Sequence, residues 1–176
     1  MILFAQRRTI CTEGIEMDEN LLQQIYHKHN LEGGFMPWDE WSSLVRKAYP
    51  ELIRRVMNSP YDSITMTYSE LGSKIGLHVV SEWFNLKIAL ILYACAEYAH
   101  IHQFPLITAI VVNKDTGQPG KGFWGLPWIP VPLRKQTGIE DITSFYLDAS
   151  RDKFWIEELK RLDFWGKKLP DVSSAL

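Results

Sequence analysis

The sequence predicts an α+β fold, mainly helical, built as one domain. Three observations carry that expectation. The 176 residues are 46% hydrophobic and 23% charged, the balance of an ordinary folded chain. Apolar residues recur at three- and four-residue spacing through most of the length. One β-branched run, Leu106–Asn113, breaks that period and reads as the clearest strand. The single domain divides into an N-terminal arm with helices (1–60), a core (61–126), and a proline-rich loop with a C-terminal helix (127–176).

Taken in order, Ile2–Ala5 reads as a strand of the arm. Asp18 is a helix cap ahead of Leu21, Leu22, Ile25 and Tyr26, and Gly33-Gly34 breaks the chain. A second helical stretch starts near Trp38, with Asp39 as cap and Trp41, Leu44, Val45 and Ala48 on one face. Pro50 suits the first turn of a continuing helix whose apolar face is Leu52, Ile53, Val56 and Met57. Ile64–Thr67 reads as a very short strand. Thr67 and Glu70 then stand at capping-box spacing, and Gly76 suits a left-handed stop. Ser81 is the next cap, opening an apolar helix of about twenty residues that Pro105 terminates. Asp115-Thr-Gly117 supplies a turn, and Gly120, Gly122 and Gly125 suit a returning strand, so the core reads as a winged-helix-like centre with a β-hairpin wing. Pro127, Pro130 and Pro132 forbid a regular element, and Arg151–Leu162 forms the last helix, with frayed residues behind it.

The chemistry-bearing residues are few. A net charge of -2 gives no global reason to bind nucleic acid. Between Tyr61 and Leu126 the basic residues are Lys74, Lys87, Lys114 and Lys121, against Asp62, Glu70, Glu82, Glu97 and Asp115. The long helix carries Lys87 as its one permanent cation, whereas a major-groove reading helix needs several polar side chains aimed at base edges. Gly120-Lys-Gly-Phe-Trp-Gly125 spells a dinucleotide fingerprint, yet Pro127 and Pro130 stand where its helix should begin, so a wing turn is the expected structure. Glu97 and His100 form half of a di-iron pattern without the second half, and His100 and His102 read as helix-end histidines with no metal or other cofactor. Cys95 lies inside an apolar run, as a reduced buried thiol, and Cys11 offers no framework with it. No apolar stretch follows Arg7-Arg8 to suggest a signal peptide, and the longest apolar run is too short to span a bilayer, so a cytoplasmic location is expected.

The order Thr67-Tyr-Ser-Glu-Leu-Gly-Ser-Lys-Ile-Gly76, long helix, then Phe104-Pro-Leu-Ile-Thr-Ala-Ile-Val-Val-Asn-Lys-Asp-Thr-Gly-Gln-Pro-Gly-Lys-Gly-Phe123 resembles a winged-helix-like module of bacterial and phage conflict systems. That module is found alone or beside predicted nucleases, and a cysteine ends its long helix where Cys95 stands here. The stretch is more distantly similar to the winged-helix domain of alkyltransferase-like DNA repair proteins. Alkyltransferases need a Pro-Cys-His-Arg run, and Phe104-Pro-Leu-Ile-Thr108 lacks the nucleophile. The resemblance implies a non-catalytic immunity, antitoxin or nuclease-accessory protein that binds another protein, a toxin or a nuclease. Phe123, Trp124 and Trp128, in and beside a proline-stiffened loop, are the expected protein contacts. The alternative is DNA binding, with Tyr68, Ser69, Lys74, Lys114 and Lys121 on phosphates. A further alternative is an enzyme whose site is assembled from residues distant in sequence.

Overall fold

The computed structural model describes residues 16–29, 35–134 and 148–168. The expected arm strand at Ile2–Ala5, Cys11, Gly33-Gly34 and the final residues lie outside them. The fold is α+β and mainly helical: α1 (Glu19–Lys28), α2 (Trp38–Asn58), β1 (Met66–Thr67), α3 (Tyr68–Ile75), α4 (Phe84–Ile101), β2 (Val111–Val112), α5 (Lys121–Trp124) and α6 (Ala149–Gly166).

Local chemistry sets several of the helix ends. The Asp18 carboxylate accepts the Leu21 amide at 2.8 Å and starts α1. Thr67 and Glu70 form both halves of the capping box: the Glu70 amide donates to Thr67 Oγ1 at 3.2 Å, and the Thr67 amide donates to Glu70 Oε2 at 2.5 Å. Gly76 closes α3 at φ 83°, where a side chain would be strained, and the Leu77 amide reaches back to the Gly72 carbonyl at 2.8 Å. Thr67→Ala removes the hydroxyl half of this box and is expected to cost about 1 kcal/mol, read as a lower midpoint in urea unfolding with an unchanged slope.

The expected pair of helices around Pro50 is one 21-residue helix, capped at Pro37 and not at Asp39, with Pro50 in its interior. A proline there forgoes one backbone bond. The continuous buried stripe of Trp41, Val45, Ala48, Leu52, Ile53 and Val56 outweighs that loss. Helix α4 begins at Phe84, three residues beyond the expected cap Ser81, and ends at Ile101. Gln103 then turns the chain at φ 58°, ahead of Pro105. As its composition predicts, α4 is a central helix. Ile88, Ile91, Leu92, Ala94, Cys95, Ala96 and Ala99 are buried against α1 and α2, and burial pushes the free Cys95 thiol well above its usual pKa.

The β-hairpin is the main correction. Ile107–Ile110 forms a 3-10 turn, and only Val111 and Val112 are extended. They pair in parallel with Met66 and Thr67, and Lys121–Trp124 is a helical turn where a returning strand was expected. The β-branched run is buried throughout, from Ile107 to Val112. It lies between α4 and α6, with the Trp155 indole N–H donating to the Ala109 carbonyl at 2.8 Å. Tertiary burial on every side overrides a preference for extended pairing.

Helix α6 begins at Asp148, whose carboxylate accepts from the Ser150 and Arg151 amides, and buries Leu159 and Leu162. Phe154 and Trp155 are only half-buried and Ile156 is exposed, so the expected apolar face is narrower than its sequence suggests. Among the described residues no helix is long and apolar enough to cross a membrane.

Candidate functional site

Three features surround α4: a buried ionic cluster, a cavity, and an exposed apolar corner. Each is assembled from segments far apart in the chain.

The cluster centres on Glu97, which faces α1 and not His100. Its carboxylate is buried and accepts hydrogen bonds from Lys28 Nζ and His29 Nε2. Burial pushes its pKa up, but the two donors more than offset that and hold it below the usual carboxylate range. The His29 ring packs edge-on against Tyr93 at 4.4 Å. The half di-iron pattern is therefore taken apart by the fold. His100 stacks flat on Trp128 at 4.6 Å, and His102 lies against Tyr98 and Phe104. Among the described residues no group of three or more potential metal ligands converges.

The cavity lies alongside α4, closed on one side by α5 and on another by the N-terminal part of α2. His29 and Thr108 are both among its lining residues. A nucleophile and its base must be hydrogen-bonded, and the Thr108 hydroxyl has no partner at all. Among the described residues Thr108 and His29 are therefore not hydrogen-bonded to each other, and His29 is bonded to Glu97 instead.

The expected protein contacts are redistributed. Phe123 and Trp124 are buried, 7% and 2% exposed, packed edge to face against each other and, through Trp124, against Phe154. A loop rich in glycine and proline folded back as a helical turn gives them to the core, so they present no surface to a partner. Trp128 remains partly exposed beside His100. The fingerprint-like glycines do start a helical turn after all, but its four residues are too short to gather a phosphate, and the Gly120 amide already donates to Tyr68 Oη at 2.8 Å.

The expected phosphate contacts scatter. Tyr68 and Lys121 line the cavity, Ser69 and Lys114 are exposed on separate segments, and Lys74 is paired with Glu51 at 2.6 Å. They form no continuous basic stripe.

Sequence reasoning missed the corner between α3 and α4. Val80 is 97% exposed, Trp83 52% and Leu86 45%, and Asn85 and Ala89 continue the open face of α4. Phe35 packs against the Trp83 ring at 5.3 Å and fixes its base. Helical spacing shows α4 apolar on all sides, and only the tertiary arrangement reveals which side stays uncovered. Comparison with known proteins adds no relative: the chain matches no family model, no curated protein and no solved structure.

Proposed function

We propose that this chain is a non-catalytic binding protein that acts by docking another protein on the corner at the start of α4. The observation that carries the reading is the exposed trio Val80, Trp83 and Leu86 within seven consecutive residues. Large apolar side chains left in water this close together are costly for a lone soluble protein and mark a contact surface. Tryptophan in such a setting supplies much of an interface's binding energy, and Trp83 is already held by Phe35, so little ordering is needed.

The likeness of Thr67–Phe123 to the winged-helix-like module of conflict systems supports a toxin or nuclease as the partner, with this chain as its immunity, antitoxin or accessory factor. It docks by surface contact, with no catalytic role. The DNA alternative has less support, because the long helix is buried and Lys74 is engaged by Glu51.

The test uses the product of the adjacent reading frame. Co-purification and titration calorimetry are expected to show a complex. Trp83→Ser combined with Leu86→Ser should weaken it about a hundredfold or more while leaving the melting temperature within a degree or two. Affinity unchanged by the double substitution removes this surface from the interface. A salt-dependent shift of duplex DNA by the free chain would favour the DNA reading instead.

A further inference from the structure

Among the described glycines, Gly122 alone has neither a conformational nor a steric reason to lack a side chain. Gly76 and Gly117 have positive φ. A Cβ added to Gly72, Gly120 or Gly166 would stand less than 3.0 Å from a neighbour, and at Gly125 it would meet the Gly122 carbonyl oxygen at 3.4 Å. The φ of Gly122 is not positive, and a Cβ added there meets nothing within 4 Å. Gly122 also sits in the helical turn α5, where glycine is about 1 kcal/mol less favourable than alanine.

Gly122 lies on the wall of the cavity beside α4, as does the exposed Ala89 of α4 itself. The cavity volume is about 630 Å³, a size that takes a drug-like molecule. Its described walls are chiefly apolar, with Ile88, Leu92, Phe123 and Leu126 among them, and polar side chains such as Tyr93 and Asn113 are spaced between. Those walls are already fixed. Phe123 packs edge to face on Trp124, the Gly120 amide is bonded to Tyr68 Oη at 2.8 Å, and His29 is held by Glu97 and by the Tyr93 ring. A ligand entering would therefore meet a formed site and have little of it to order.

A bare glycine lets a bound molecule come close to the backbone. We propose that this cavity is a binding site for a small, mainly apolar organic molecule, and that the missing side chain of Gly122 leaves room for it against α5. No aspartate or glutamate is among the described wall residues, so neither a neutral nor an anionic substituent on that molecule meets an opposing carboxylate. Trp83 and Leu86 are not on the walls, so the site stands or falls separately from the docking corner.

Two dyes with the same ring body probe it: neutral N-phenyl-1-naphthylamine and its anionic relative 8-anilinonaphthalene-1-sulfonate. The full chain is expected to bind both saturably, with a blue shift and enhanced emission. Gly122→Leu and Ala89→Trp, which reach in from different helices, should each weaken both dyes about tenfold or more, and Gly122→Ala much less. Melting temperatures of these variants should stay within a degree or two of wild type or rise. Trp83→Ser with Leu86→Ser should change neither dye. If one bulky variant fails to fold, the other decides. Absence of saturable N-phenyl-1-naphthylamine binding overturns the proposal, as does binding that survives both bulky substitutions or that the Trp83, Leu86 pair abolishes. Binding of the sulfonate dye alone also overturns it, since charge and not apolar contact would then hold the ligand.

Discussion

Gly166→Val is expected to destabilise the protein by about 2–4 kcal/mol, the range for forcing bulk into a closed contact. Gly166 ends α6 against Val56, in the last turn of α2. A Cβ placed there would stand 2.7 Å from Val56 Cγ1 and 2.7 Å from the Val56 carbonyl oxygen. The methyl can rotate away, but the carbonyl belongs to the α2 backbone and cannot. Relief requires α6 to lift, which exposes Leu159 and Leu162 and loosens the Trp155 bond to Ala109. Urea unfolding should therefore show a much lower midpoint for Gly166→Val and a smaller drop for Gly166→Ala. Adding Val56→Ala to the latter should restore only part of the loss, because the backbone contact survives. A wild-type midpoint for Gly166→Val would show that the two helices do not meet this closely.

Glu97→Gln should cost about 1–3 kcal/mol at neutral pH, the scale for weakening a buried charged hydrogen bond. The cost stays modest because Lys28 is largely exposed, with 64% of its side chain in solvent. Glutamine retains the shape and one acceptor oxygen, so the lost quantity is mainly the charge facing Lys28 and His29. The sign of the pH dependence follows from the folded-state pKa, which lies below that of an unfolded glutamate. The stabilisation is fully present above the unfolded value and disappears as pH falls through the folded one. Melting temperatures of wild type and Glu97→Gln should therefore differ at pH 7 and converge in acid. A gap that stays constant down through the carboxylate range would count against an ionised Glu97. Glu70 also lies below its usual range, chiefly through the backbone hydrogen bond at Thr67, so the variant keeps some acid sensitivity of its own.

What was legible in the sequence was what is decided within a few residues. Asp18, the Thr67–Glu70 box and Gly76 act on their own neighbours, and each caps as expected. The apolar surplus of α4 marked it as interior, which also made a reading helix in a DNA groove a poor fit. Leu106–Asn113 misled because β-branched residues suit any crowded interior, and here they line a buried turn with a two-residue strand. Phe123 and Trp124 misled for a related reason: flanking glycines and prolines signal a loop but not which way it folds. The rest needed coordinates. Glu97 meets residues 68 and 69 positions away, and the open space over Gly122 becomes visible only when every neighbour has been placed.

The short parallel ladder between β1 and β2 bears on the order in which the chain acquires its structure. Its partners, Met66 with Val111 and Thr67 with Val112, are 45 residues apart, and α3 and α4 lie between them. Two residues a side offer little enthalpy to oppose the entropy of closing so long a loop. The ladder is thus a late clasp in folding. Helices α2 and α4 must first draw the ends together, and the strands lock an arrangement that helix packing has already chosen.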